Sequence, residues 1–419
     1  MNEFMKTKNI FYYLRRRFVK VFWNNNSPDV LEYNNSSPDV FELGDRDVNW
    51  IDLPDNLLCL IFDKLVDIHD CVRFGTVCHS WRSIYIENRV NLPHDCVLLM
   101  VPTQLNPEDD EREHRSFYSL SDKKVYDFKV PLPHNRFCFG SSNGWVITYS
   151  KVNFEIHMLN PFLELNNEIM LPPMPDFEPD LGLFEATGLE IFNRVDSGSP
   201  VYKAVVAVNS ISNPDYVVMV SHGQLRRLSF CICSNRFWTQ LDSRFRLIDD
   251  IICHNDKFYA LNCYGQVYAI DVNHPTPRIS QIAPNHELSG KKYLVESTGF
   301  MFQVLRDVRS CRYDYYTVGF TVLKLDRVRW RWDEVKNLGG RMFFLGDNCS
   351  LSLSVSDLPG CKPNCIYFTD DYIYRYPRPN VGPLDMGVFN LEDGRIEPHY
   401  PTESKMIFPN PVFICTAMR

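Results

Sequence analysis

The sequence predicts an α+β multidomain chain, in which a small three-helix unit precedes an all-β, propeller-like domain of about six divergent blades. Three observations predict it. Apolar residues recur at helical spacing only within residues 50–89. From Asp95 onward the chain reads as short β-type runs parted by Asn, Asp, Gly and Pro. Aromatic residues make up 14% of the chain, with 29 Phe and 21 Tyr, a content that suits half-buried pleated surfaces.

The helical unit comes first. Leu57, Leu58, Ile61, Phe62 and Leu65 follow one another at helical intervals. Pro54 suits the first turn, where a missing N–H costs nothing, and Asp55 beside it favours the positive end of the helix dipole. After a break around Asp67–Asp70, a second pattern runs through Cys71, Phe74, Val77, Cys78, Trp81 and Ile84. Gly75 interrupts that pattern and predicts two short helices there, three in all.

The β region contains six strand–turn–strand segments of similar character, at 117–130, 156–171, 228–241, 267–282, 320–335 and 387–398. Their first strands end near Ser121, Asn160, Cys233, Asp271, Asp326 and Asn390, spaced by 39, 73, 38, 55 and 64 residues. These spacings average about 54, and a period near 50 built from β-hairpins points to a kelch-type propeller, which removes sheet edges by closing a ring of four-stranded blades. The irregular spacing and the single Gly-Gly pair, Gly339–Gly340, make it a divergent one. These patterns divide the chain into a basic N-terminal tail (1–23), a linker (24–48), the helical unit (49–92) and the β-rich, propeller-like domain (95–419).

Bulk properties exclude several classes. A net charge of -8 gives no global basic field for nucleic acid. The longest apolar runs, such as Leu57–Phe62 and Cys96–Val101, fall far short of the roughly 20 residues of a membrane span. The 14 cysteines are scattered without a CxxC pair, so neither a zinc site nor a disulfide framework is expected. Reduced thiols and the lack of a secretory signal predict an intracellular protein, in the nucleus and/or the cytoplasm. The tail MNEFMKTKNIFYYLRRRFVKVFW is read as an unstructured basic segment, with import, membrane-surface and transit roles as alternatives. In the linker, NSPDVLEY is nearly repeated as SSPDVFEL, a local duplication with no core to constrain it.

The segment LPDNLLCLIFDKL followed by VCHSWR resembles the F-box. It combines Leu53–Pro54, the helix with Leu57, Ile61 and Leu65, and the close formed by Val77, Cys78, Trp81 and Arg82. The lines at 160–175, 331–353 and 365–376 are similar to the plant F-box proteins whose C-terminal region is a kelch-related domain of unknown function. This resemblance implies a substrate receptor of an SCF-type (Skp–cullin–F-box) ubiquitin ligase. Such a subunit docks on a Skp-type adaptor, and through it on a cullin, while its β-domain recruits a protein target. It implies no catalysis and no cofactor, and it assigns Leu53, Pro54, Leu57, Leu58, Ile61, Val77, Cys78 and Trp81 to the adaptor interface. Forty residues bury little surface, which agrees with an apolar face left for a partner. The alternative is a scaffold or decoy that sequesters adaptor or target without driving ubiquitination.

Other constellations are read plainly. RVRWRW (327–332) alternates Arg with Val and Trp, which predicts a blade strand with a solvated basic face. NPEDDEREHR (106–115) is read as a solvated loop. Asp249–Asp250 and Asp370–Asp371 are expected in turns. The Pro-rich insert 171–201 is a candidate for target contact as a loop on a rigid scaffold. No nucleophile–base or phosphate-loop motif is present.

Overall fold

The computed structural model describes residues 53–62, 74 and 78–88 of the helical unit. In the β unit it describes 97–101, 114–121, 123–129, 132, 136–142, 145–150, 155–160, 168–174, 201–208, 215–371 (except 224, 256, 275, 287, 312–313 and 359), 385–400 and 412–415. The chain separates into two compact units, Met1–His94 and Asp95–Arg419.

In the first unit, helix α1 spans Asp55–Phe62 and helix α2 spans His79–Asn88. The Pro54 carbonyl accepts the N–H groups of Leu57 and Leu58 at 2.9 and 3.1 Å and so starts α1, with Asp55 in its first turn. The Cys78 carbonyl opens α2 in the same way by accepting from Arg82. Leu58 and Phe62, one turn apart on α1, pack with Phe74, Trp81 and Ile84 into a closed apolar core. Phe74 and Trp81 lie ring to ring at 4.4 Å. Of the predicted middle helix only Phe74 is described, and Leu65, Gly75 and Val77 lie outside the described residues.

The second unit is a ring of six sheets. Blade 1 consists of Val412–Cys415, Val97–Val101, His114–Ser119 and Lys124–Lys129, and blade 2 of Arg136–Ser142, Trp145–Ser150, Ile156–Leu159 and Glu168–Met170. Blade 3 is Val201–Val208, Tyr216–His222, Arg227–Ile232 and Phe237–Gln240, and blade 4 is Ile248–His254, Lys257–Asn262, Val267–Asp271 and Arg278–Ala283. Blade 5 is Lys291–Ser297, Phe300–Cys311, Asp314–Asp326 and Arg331–Val335. Blade 6 holds five strands, in spatial order Ser350–Ser354, Arg341–Leu345, Cys365–Phe368, Gly387–Asn390 and Ile396–Glu397. The first-named strands are the innermost and touch one another in succession from blade 1 to blade 6. The ring closes where the C-terminal strand pairs with the first one, Leu99 opposite Phe413. All six predicted hairpins are present, each as the outer pair of strands in one blade.

Blades pack face on face, so inner strands are buried on both sides, as in Trp145–Ser150 and Val97–Val101. Separate apolar clusters fill the spaces between successive blades, for example Val205, Phe230, Ile251 and Phe258 between blades 3 and 4. Three predicted features are corrected here. Residues 327–330 are the turn between the last two strands of blade 5, not strand, so Val328 and Trp330 point out and not inward. Asp249 and Asp250 lie in the inner strand of blade 4, and Asp370 and Asp371 follow a blade 6 strand as buried residues, so neither pair sits in a solvated turn. Of the charge run 106–115, His114 and Arg115 begin a strand, and buried Arg115 donates from Nε to the Leu132 carbonyl. Residues 102–113 and 175–200 lie outside the described residues. Ten of the described cysteines, Cys59 and Cys365 among them, are free thiols.

One buried group is expected to make the propeller acid-sensitive. His222, at the end of a blade 3 strand, is buried with Nε2 2.8 Å from Ser229 Oγ. Burial, helped by Arg227, lowers its pKa from 6.5 to about 4. Between these values the unfolded chain binds the proton and the folded chain does not, so stability present above pH 6.5 is lost as pH falls toward 4. The stability difference between the native chain and His222→Gln is expected to shrink by up to about 3 kcal/mol over that window. Urea unfolding of both proteins across the window measures it, and parallel curves would refute it.

Candidate functional site

Two regions carry the residues that function could use. The first is the outer side of α1. With Leu58 and Phe62 turned inward, Leu57 and Leu60, three positions apart, share the opposite side and are 42% and 56% exposed. Pro54 is exposed beside them, while Leu53, Ile61 and Cys78 are half-buried against the helical core. The eight residues assigned by resemblance therefore fall into distinct places. Pro54 and Leu57 are open, and Leu53, Ile61 and Cys78 lie at the margin. Leu58 and Trp81 are fully buried within the unit, and Val77 lies outside the described residues. Leu60 was not singled out by sequence, although its three-residue offset from Leu57 was there to read.

The second region is the end of the propeller where the inner strands begin. The hairpin that enters blade 6 folds back at residues 346–349 and seats this turn on the axis. The Asn348 carbonyl accepts the Ser141 N–H of blade 2 at 3.1 Å, and Asn348 Nδ2 donates to the Phe413 carbonyl of blade 1. Ser350 Oγ accepts from Lys203 of blade 3 at 3.0 Å and donates to Asp250 of blade 4 at 2.7 Å. Asp347 accepts from Lys291 of blade 5 at 2.7 Å. Residues 347–350 thus bond all five other blades and form a plug among their inner strands. Gly346 is required there, since a side chain would collide with Thr369 Oγ1.

Beside the plug lies a buried ionic cluster between blades 5 and 6. Arg306 is fully buried. Its Nε donates to Thr317 Oγ1 at 2.7 Å, its Nη1 to Asp371 at 2.6 Å and the Thr369 carbonyl at 3.0 Å, and its Nη2 to both oxygen types of Asp385, side chain at 3.0 Å and carbonyl at 2.9 Å. Asp371 also accepts from Tyr293 at 2.7 Å and pairs with Lys291 at 2.8 Å. Tyr315 donates to Asp370 at 2.5 Å. Burial opposes charge on Asp371, but Lys291 and Arg306 beside it prevail and hold its carboxyl below the usual range. Burial pushes the Asp347 carboxyl up, to about 6, against the pull of Lys291. Burial and Asp371 push the Tyr293 hydroxyl up.

These groups satisfy one another, and what they do is mechanical. The second and third strands of blade 5 run 12 and 13 residues. Pairing to the inner strand ends at Arg306, so Asp307–Cys311, paired back on 314–319 across a bulge at Asp307/Val308, stands beyond the blade. Arg306, Tyr315 and Thr317 fix the base of this projecting hairpin to blade 6. Among the described residues no group of three or more His, Cys, Asp and Glu could hold a metal ion, and no helix is long and apolar enough to cross a membrane.

A small helical unit with an exposed leucine side, followed by a closed six-bladed ring, is the architecture of an F-box protein with a β-propeller. Comparison with known proteins agrees. Residues 50–89 match the family described as F-box-like, and residues 117–390 match the KIB1-4 beta-propeller family. The chain therefore belongs to the plant F-box proteins that carry a KIB1-4 beta-propeller. Relatives from Arabidopsis thaliana include F-box protein At2g17036, 26% identical over 88% of this chain and 96% of its own length, and F-box protein SKIP23, 26% identical over 89% and 97%. A putative F-box/kelch-repeat protein, At5g24040, is 25% identical over 77% and 87%. Among solved structures, TolB from Acinetobacter baumannii aligns with a TM-score of 0.36 at 10% identity over 82% of this chain and 72% of its own.

Proposed function

We propose that this chain is the substrate-receptor subunit of an SCF-type ubiquitin ligase, its F-box docking on a Skp-type adaptor and its propeller recruiting a protein target for ubiquitination. The observation that carries this reading is the leucine side of α1, left open by a helix whose other side is already packed. In this reading Leu53, Pro54, Leu57, Ile61 and Cys78, with Leu60, meet the adaptor. Leu58 and Trp81 hold the helices at the angle that presents them, and Val77 completes the face by resemblance. The receptor makes no bond itself. It converts a bimolecular encounter of target and ubiquitin-charged enzyme into a near-intramolecular one. Reduced thiols suit a nuclear or cytoplasmic setting.

Burying two half-exposed leucines is worth about 2–3 kcal/mol, and a carboxylate in their place must also be desolvated. Leu57→Glu with Leu60→Glu is therefore expected to weaken binding of a purified Skp-type adaptor by at least about a hundredfold, with the far-UV circular dichroism unchanged. Calorimetric titration of the full chain measures it. Adaptor binding of equal strength by native and variant chains would end the reading.

A further inference from the structure

The turn that joins the last two strands of blade 5 is built unlike a solvated loop. Val328 at its tip is 96% exposed, and Trp330, at φ 53°, is 47% exposed. Asp326 Oδ1 accepts the N–H groups of both Val328 and Arg329 at 2.9 Å, so the preceding strand fixes the turn's shape. Phe300, 47% exposed, lies at the adjoining strand start with Lys324 Nζ 3.4 Å from its ring centroid. An apolar tip held rigid and open to water loses little freedom on binding, and Trp and Arg are the side chains that most often anchor interfaces.

The charges say what fits. Lys324, Arg327, Arg329 and Arg331 gather here, in a chain whose net charge is -8. Asp326 lies 3.7 Å from Arg329 and Asp333 2.8 Å from Arg331. Each carboxylate occupies a single guanidinium nitrogen, and a guanidinium has five N–H donors, so both arginines keep donors for a partner. Spaced carboxylates next to an apolar side chain match the alternation Arg327–Val328–Arg329–Trp330–Arg331, whereas a phosphate backbone offers no apolar side chain to cover Val328.

We propose that residues 327–331 are a docking knob for an acidic segment of a partner protein, whose apolar side chains cover Val328 and Trp330 while its carboxylates meet Arg329 and Arg331. If the chain is a ligase receptor, that partner is its target. This identification rests on the receptor reading, while the docking itself does not.

The test uses the full chain and a short fluorescein-labelled peptide in which glutamates flank one leucine and one phenylalanine. Its controls are the same peptide with lysine for glutamate and an oligouridylate of matching charge. Fluorescence anisotropy is expected to show saturable binding of the acidic peptide alone. Binding should weaken about tenfold in Val328→Asp and again in Arg329→Glu, and fall as salt screens the arginines. Both variants lie on an exposed turn and are expected to keep the native thermal midpoint. Absence of acidic-peptide binding, equal binding by the variants, or tighter binding of oligouridylate would each overturn the proposal. Peptide binding without adaptor binding would keep the knob and sink the receptor reading, and the converse result would do the reverse.

Discussion

Replacing Arg306 by methionine is expected to lower the unfolding free energy of the propeller by about 3–5 kcal/mol. Methionine keeps the bulk that packs near Phe320 and Phe368, so the loss isolates the charge. Without the guanidinium, the Asp385 carboxylate retains, among the described residues, only Thr317 as a donor, and Asp371 depends on Lys291 and Tyr293. Removing one partner from a buried ionic cluster leaves desolvated charge behind, which is far more damaging than breaking a surface pair. Arg331→Ala, which breaks only the exposed pair with Asp333, is accordingly expected to leave the urea midpoint unchanged. The sign with pH follows from Asp371. Its folded pKa is depressed, so the stability it contributes is present above the ordinary carboxylate pKa and lost as pH falls through the folded value. The deficit of Arg306→Met is therefore largest near neutrality and narrows in acid. A variant within about 0.5 kcal/mol of the native chain at neutral pH would show that the cluster is not what joins blades 5 and 6.

What the sequence disclosed follows burial. The outermost strand of each outer hairpin, such as Glu168–Met170 or Phe237–Gln240, is exposed or half-buried and follows turn residues, and that contrast with its buried partner made all six legible. The inner strands are buried on both sides. Runs such as Val97–Val101 carry no period, and nothing in them announces a ring. The irregular spacing has local causes. The 73-residue step contains the insert before blade 3, and the 64-residue step contains the fold-back of blade 6, whose incoming strand 341–345 yields the inner place to 350–354. That exchange is decided by bonds from Asn348 and Ser350 to four other blades, partners up to 207 positions away in the case of Asn348 and Ser141, and no local pattern encodes it.

The failures are equally physical. RVRWRW has the period of a strand, but Asp326 caps the N–H groups that would continue the ladder, and the chain turns. Asp249–Asp250 and Asp370–Asp371 looked like turn residues because their cations, Arg226, Lys203 and Arg306, lie far off in sequence. An acidic pair beside a strongly apolar strand was the available signal of a buried ion pair. In α1 the helical period was plain, yet leucines occupy both sides, so only packing divides Leu58 and Phe62 from Leu57 and Leu60.

That division yields the other large effect. Trp81→Ala is expected to unfold the helical unit. Trp81 is fully buried against Phe74 within a core of few residues, and truncating such a tryptophan costs about 3–5 kcal/mol. A unit of roughly 40 residues has little more than that to lose. Hydrogen exchange should then show lost protection across Asp55–Phe62 and His79–Asn88, with blade amides unaffected, and adaptor binding should vanish. Leu57→Glu is expected to weaken the same binding while those amides stay protected. Two routes to one phenotype, told apart by exchange, separate a residue that shapes the docking face from one that forms it. If Trp81→Ala kept both protection and adaptor affinity, Trp81 would not be the keystone of the helical core. If Leu57→Glu lost protection, Leu57 would belong to that core, and the open leucine side would have to be sought elsewhere on the unit.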